Sequence, residues 1–223
     1  MELASAPLTL FLLAITVVTS WQAWERSPLF EKLLHSPYRI HQFREYYRIL
    51  SHALIHGDGT HLIFNMIGLF MFGKYLEAVF THGQEVAPSL IYWPQGMGYV
   101  LYLALYAGGI AAGALPSIRK HRDHPGYRSV GASGGVSALL MAFAIVNPTA
   151  GMSFIFLPFF TLPAFIWILI FFAMEHYLAR RGGTGIAHDA HIYGAIYGIL
   201  FILLISPKLG ARFISEVSAY FLG

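Results

Sequence analysis

The chain has 223 residues, 57% of them hydrophobic and only 11% charged, with a formal net charge of +3. Soluble domains carry about 25% charged residues, so this composition indicates a membrane protein rather than a soluble domain. The absence of cysteine excludes a disulfide framework and cysteine–zinc sites. The positive charges flank apolar runs and suit anionic lipid headgroups better than nucleic acid.

A membrane-spanning helix needs about 20 mostly apolar residues, and six segments qualify in chain order. The first is Pro7 to Trp24. A signal peptide would carry a positive N-terminal region, whereas only Glu2 is charged there. The connection from Glu25 to Leu50 mixes charges with Phe30, Leu33, Leu34, Tyr38, Tyr46 and Tyr47. That mixture predicts short amphipathic helices at the membrane interface. The second span is His61 to Phe80 and the third Gly98 to Ile118. The fourth, Ser133 to Val146, is short and has Gly131 to Gly135 at its mouth. Pro148, Pro158 and Pro163 punctuate the link to the fifth, Leu162 to Ala179. The sixth is Ala187 to Ile205, closed by Pro207. The expected fold is an all-α polytopic bundle of six transmembrane helices, one membrane domain over residues 1–223 with no soluble domain.

Two crossings separate the second, fourth and sixth spans from one another, so their N-terminal ends emerge on one face. His56, His61 and Asn65 at the start of the second, Ser133 at the start of the fourth and His191 near the start of the sixth therefore share one side of the membrane.

Ser133 sits in Gly131-Ala132-Ser133-Gly134-Gly135. An isolated serine in a membrane helix is more often a packing residue, and Gly131, Gly135, Ser137, Ala138 and Ala142 extend it into a small-residue stripe. The run also fits the Gly-x-Ser-x-Gly elbow of α/β-hydrolases, but no sheet surrounds it, which removes that reading. A histidine in an apolar helix is costly and marks function by default. His191 lies one turn before Gly194, and Gly194 with Gly198 forms a Gly-x-x-x-Gly face for close helix approach. Contact between the two small-residue stripes would bring Ser133 toward His191 as nucleophile and general base. His188, about 60° around the helix from His191, lacks that register. Asp189 points to the opposite side, and no acid lies in register, so a Ser–His dyad fits better than a triad. His61 and Asn65 share one helix face and offer hydrogen-bond donors to an oxyanion. A metal site is the rival: His52 with His56, and His188 with His191, offer nitrogens, but Ala53 follows His52 where a metalloprotease helix needs Glu.

Taken together, these residues resemble the rhomboid intramembrane serine proteases. Arg48 to Asn65, with His52, His56, His61 and Asn65, resembles the family's first loop and second helix. Gly131-Ala132-Ser133-Gly134 matches its Gly-x-Ser-Gly, and Ala190 to Gly198 its last catalytic helix. The motifs occur in family order over a core at about residues 44–205. The resemblance implies a Ser133 nucleophile, a His191 base, and His61 and Asn65 lining the oxyanion hole with the Ser133 backbone N–H. It assigns structural hydrogen bonding to His56 and Arg48, and makes Glu77 the acidic residue ending the second helix. It also implies single-pass transmembrane substrates with small or helix-breaking residues near the membrane surface, cut without metal or cofactor. Many members place an aromatic residue four positions after the serine, beneath the histidine. Here that position is Ser137, so support for the imidazole is expected from a Tyr or Phe on another helix. The alternatives are an inactive rhomboid-like protein that binds membrane clients and a small transporter with a histidine-lined path.

The family places the active-site mouth outside, in a bacterial inner membrane. Loop charges point the other way. Arg26, Lys32, Arg39, Arg44 and Arg48, then Arg119, Lys120, Arg122 and Arg128, then Arg180 and Arg181 lie on the active-site face, and only Lys74, Lys208 and Arg212 lie opposite. An outward mouth is the expectation here, because an embedded first loop is where the positive-inside rule fails most easily.

Overall fold

The computed structural model describes residues 6–86, 93–94, 96–154, 157–181 and 187–222. Helix α1 (Pro7–Glu25) leads into three short helices, α2 (Ser27–Leu33), α3 (Pro37–Phe43) and α4 (Arg48–Ser51), and a 3-10 turn, His52–Leu54. Helix α5 (Gly59–Gly68) continues through a π-helical turn, Leu69–Gly73, into α6 (Lys74–Val86). Then follow α7 (Met97–Lys120), α8 (Ser133–Val146), a hairpin of β1 (Gly151–Phe154) and β2 (Leu157–Pro163), α9 (Ala164–Arg181), α10 (His188–Ile205) and α11 (Pro207–Leu222).

Helix α8 is the centre, packed between α7 and α10 and buried along most of its length. Its small residues explain why. Lipid tails are as apolar as leucine, so helices associate in a membrane through close van der Waals packing. A methyl group added to Gly194 would meet the Gly134 carbonyl oxygen at 2.2 Å, and one added to Gly198 would meet that of Ala138 at 2.3 Å. On the other side, Gly109 presses on Ala138 and Gly134. The three backbones therefore touch, and the helices cannot slide without collision.

Among the described residues, four stretches are long and apolar enough to cross a membrane: Pro7–Glu25, Gly59–Gly83, Met97–Lys120 and His188–Ile205. The other two expected spans differ for physical reasons. Helix α8 has 14 residues; at 1.5 Å per residue it is about 21 Å long, against a hydrocarbon core of about 30 Å. Helix α9 carries Glu175, Arg180 and Arg181 within 18 residues. It also starts later than expected. Pro163 holds Leu162 in extended backbone, and Leu162 pairs with Met152 in the hairpin, a departure from an all-helical chain. Pro207 closes α10 as expected but opens another helix, because proline suits a first turn whose N–H has no partner anyway. That helix folds back, and Tyr220 and Phe221 pack their rings on Phe165 at 5.4 and 5.7 Å.

Polar anchors fix the two ends of the bundle. At one end Glu77 is fully buried and caps α1 from a distance. Its carboxylate accepts from the N–H of Leu8 (2.9 Å), the N–H of Thr9 (2.7 Å) and the Thr9 hydroxyl (2.7 Å). Those N–H groups lack intrahelical acceptors, and α1 has no side-chain cap of its own. Thr9 Oγ1 also meets the Tyr102 hydroxyl at 2.7 Å, tying in α7. At the other end, the Trp24 indole donates to the carbonyl of His56 at 2.7 Å.

Candidate active site

The segment before α5 is held by Arg48, which is 2% exposed. Its guanidinium donates to the Glu45 carboxylate (2.5 Å) and to the carbonyls of Glu31 (2.8 Å) and Leu34 (2.7 Å). Arg39 and Arg48 together hold the Glu45 carboxyl down at about 2, against the desolvation that opposes them. His35 and His52 lie behind this anchor with ring centroids 5.1 Å apart. His52 Nδ1 lies 3.0 Å from the Arg48 carbonyl, and His35 Nε2 lies 2.7 Å from the Ser117 hydroxyl on α7. Burial, more than any neighbouring charge, lowers His35 to about 3 and His52 to about 4. Both are neutral at physiological pH.

His56 connects this segment to the start of α8. Its Nε2 accepts from the Ala132 N–H at 3.4 Å, and its Nδ1 lies 3.1 Å from Ser20 Oγ. Accepting at Nε2 puts the ring proton on Nδ1, so Nδ1 donates to Ser20, whose hydroxyl donates to the Leu54 carbonyl at 3.1 Å. Burial and the nearby His61 keep His56 neutral, lowered to about 3, with Asp58 opposing weakly. The Gly131 N–H donates to the His52 carbonyl at 2.9 Å. Gly131 is glycine for two reasons. Its φ of +113° lies in the left-handed region, and a methyl group there would strike the His61 ring at 2.7 Å.

Ser133 is the first residue of α8 and is half-buried. The first intrahelical bond runs from the Val136 N–H to the Ala132 carbonyl, so the N–H groups of Ser133 and Gly134 have no acceptor within the helix. His61 lies over Gly131, its ring edge-on to His56 at 5.0 Å. Its own N–H is capped by the Asp58 carboxylate at 2.8 Å, which starts α5 at this point. One turn on, the Asn65 amide donates to the His61 carbonyl at 3.0 Å, while Asn65 Oδ1 is buried without a partner. The N-terminal ends of α5 and α8 thus meet.

His191 reaches this place through the glycine register. A methyl group added to Gly134 would lie 3.5 Å from the Ala190 carbonyl oxygen, and Gly194 packs on Gly134. Ser133 and His191 flank that contact. No hydrogen bond joins their side chains in this structure; catalytic hydrogen bonds in unliganded sites are often longer than in the working complex. His191 Nδ1 lies 3.0 Å from Oε1 of Glu175, and His188 Nδ1 lies 2.7 Å from Oε2 of the same carboxylate.

Glu175 is the residue sequence reasoning missed. The search for an acid was confined to the histidine's own helix, and the carboxylate comes from α9. Its support for His191 also replaces the expected Tyr or Phe: among the described residues the only ring packed near His191 is His188, at 6.0 Å. A signal was available, since a charged residue inside an apolar helix is rare without a function or a partner. Asp189 faces away, as expected, and pairs with Lys120 at 3.4 Å. His52 and His56 engage separate partners and do not converge as metal ligands. The described cluster with metal-ligand spacing is Glu175, His188 and His191, whose ligand atoms lie within 4.8 Å of one another.

Beside the site an apolar groove of about 450 Å³ runs between the α5–π-turn segment, α8, α9 and the hairpin. Phe64 and Met174, neighbours in sequence of Asn65 and Glu175, line it together with Met71, Phe143, Met152 and Trp167.

A family model described as the Rhomboid domain matches residues 44–208. The chain is 26% identical over 171 residues to a protein named rhomboid protease GlpG from Haemophilus influenzae, covering 76% of this chain and 74% of that one. It is 27% identical over 151 residues to RHOMBOID-like protein 12, mitochondrial, of Arabidopsis thaliana (66% of this chain, 43% of that one). It is 28% identical over 154 residues to the human presenilin-associated rhomboid-like protein, mitochondrial (69% and 36%). The chain thus spans about three quarters of the bacterial relative and less than half of the mitochondrial ones.

Proposed function

Because the chain belongs to the rhomboid family and is an integral membrane protein, we propose that it is an intramembrane serine endopeptidase that cuts transmembrane segments near the membrane surface. His191 takes the proton from the Ser133 hydroxyl, and Ser133 Oγ attacks a peptide carbonyl of a locally unwound substrate. The developing oxyanion is held by the Ser133 N–H and by side-chain donors from His61 and Asn65. The protonated His191 gives its proton to the leaving amine. Water then enters, loses a proton to His191 and hydrolyses the acyl-enzyme.

The observation that carries this reading is the backbone contact of α8 with α10 at Gly134, Ala190 and Gly194, which sets Ser133 and His191 on either side of one helix crossing. The brevity of α8 agrees with it, because a helix too short to span sets its N-terminal serine below the membrane surface, at the end of a polar mouth. The groove beside α9 offers apolar contact to a transmembrane substrate. No metal or cofactor is needed for these steps. We assign the mouth to the outer side of a bacterial cell membrane. Single cysteines placed in the 121–131 loop of this cysteine-free chain, labelled in intact cells by an impermeant thiol reagent, check that side. Protection of every such cysteine would reverse the assignment.

The function is tested by incubating the purified protein and Ser133→Ala with a fluorophosphonate probe and a model transmembrane substrate. Labelling and cleavage are expected in the first sample only. Equal results in both would sink the serine mechanism. Client binding without cleavage by either would instead make the chain an inactive membrane-client binder.

A further inference from the structure

We propose that Glu175 completes a Ser–His–Glu relay in this protein, acting as a positioning residue that fixes the tautomer and orientation of His191, with His188 locking the carboxylate from its other side. The proposal rests on the reading of Ser133 and His191 as nucleophile and base.

Three observations converge on it. First, Glu175 is a carboxylate that directly follows the apolar run Ala164–Met174 of α9, and it is only 6% exposed. A charge is retained there only when paired and hydrogen-bonded. Secondly, its two oxygens are divided between two imidazoles, Oε1 to His191 Nδ1 at 3.0 Å and Oε2 to His188 Nδ1 at 2.7 Å. An ionised carboxylate only accepts, so each ring must present its proton at Nδ1. His191 then carries its lone pair on Nε2, the nitrogen a base needs for the Ser133 hydroxyl. A neutral imidazole without such a partner leaves the tautomer unselected. Thirdly, Ser137 offers no ring to brace His191, so the orienting contact must come from another helix, and α9 supplies it. When His191 takes the proton from Ser133, the imidazolium forms against a carboxylate already in place, and the proton stays on His191 until the leaving amine accepts it. Glu175 gains and loses no proton in the cycle.

His188 has a defined part in this arrangement. A lone carboxylate on a long side chain has rotamer freedom, and a second buried imidazole on its far oxygen removes it. The same three groups have metal-ligand spacing. Yet His188 is already hydrogen-bonded to Oε2, and His191 Nδ1 lies 3.0 Å from Oε1 of the same carboxylate.

The test compares wild type, Ser133→Ala, Glu175→Gln, Glu175→Asp and His188→Asn in one detergent or bilayer preparation. Wild-type cleavage abolished in Ser133→Ala establishes the underlying reading separately. Glu175→Gln is expected to lower kcat by about 10²- to 10⁴-fold, as for acid members of other triads, with KM little changed. Glu175→Asp is expected to recover part of the loss, and His188→Asn to lose about tenfold, the low end for an outer orienting partner. A second readout is spectroscopic and is taken on folded samples. In wild type a downfield imidazole N–H proton resonance, absent from His191→Ala, reports the Nδ1–H bond to the carboxylate. Absence of that resonance, or a folded Glu175→Gln with wild-type kcat, overturns the proposal. So does activity abolished by chelation and restored by zinc, which would make the three residues a metal site.

Discussion

Two polar regions meet at the mouth of this bundle, and they differ in how completely their groups are used. In the segment from His35 to His56 the buried polar side chains are engaged. Arg48 donates three bonds, His56 is bonded at both ring nitrogens, and Ser20 relays one of them to a carbonyl. Around Ser133, groups are left open. The first N–H groups of α8 have no helical acceptor, the serine hydroxyl is not bonded to His191, and Asn65 Oδ1 has no partner. A buried polar group without a partner costs about 1–3 kcal/mol. A saturated network therefore marks a structural support, and an unsaturated one marks a place built to receive something else.

The largest effect that would break this contrast comes from the open side. Ser133→Ala and His191→Ala are each expected to lower kcat by about 10⁶-fold, and the double variant by no more, because the residues act as a unit. Thermal unfolding of Ser133→Ala should match wild type, whereas His191→Ala also takes a partner from the buried Glu175 carboxylate and should lower Tm. A large loss of stability in Ser133→Ala would move Ser133 into the structural class.

On the saturated side, Arg48→Ala strands the carbonyls of Glu31 and Leu34 and leaves Glu45 facing only Arg39. Breaking a buried pair in this way costs about 3–5 kcal/mol, read as a lowered Tm, with kcat retained where the protein is still folded. Asn65→Ala should do the reverse. Loss of one oxyanion donor lowers kcat by about 10²- to 10³-fold, while Tm holds or rises because an unpartnered buried oxygen is removed. If Asn65→Ala lowered Tm and spared kcat, the two regions would exchange roles.

The smallest effect is a pH dependence. His35, His52 and His56 are neutral when folded, lowered to about 3, 4 and 3, and titrate near 6.5 when unfolded. The unfolded chain therefore binds more protons as pH falls below about 6.5, and stability drops from there toward pH 3. Glu45, held at about 2, adds a loss in the same direction below its unfolded value. Tm measured across this range should fall with acid, and His56→Asn should flatten the upper part of the curve. A Tm indifferent to pH between 7 and 4 would contradict the neutral, engaged histidines.

Much of this site was legible in the chain. Gly194 and Gly198 announced a helix face for close approach, and α10 meets α8 along it. That inference follows from the period of the helix, which local sequence obeys. Glu175 was not legible as a partner of His191, since they lie 16 positions apart on separate helices and no helical register relates α9 to α10. The remote capping of α1 by Glu77 escaped for the same reason: the resemblance marked the position, but not what it holds.

The sequence by itself determined that this is a membrane protein, where four of its apolar spans run, and that Gly194 and Gly198 form a face for close helix approach. Those conclusions need only composition, spacing and periodicity. The tertiary structure alone decided that a carboxylate from α9 lies 3.0 Å from His191, that Gly131 makes room for the His61 ring, and that a hairpin precedes α9. Each depends on a side chain meeting a group far away in the chain, and such meetings are set by how the helices pack.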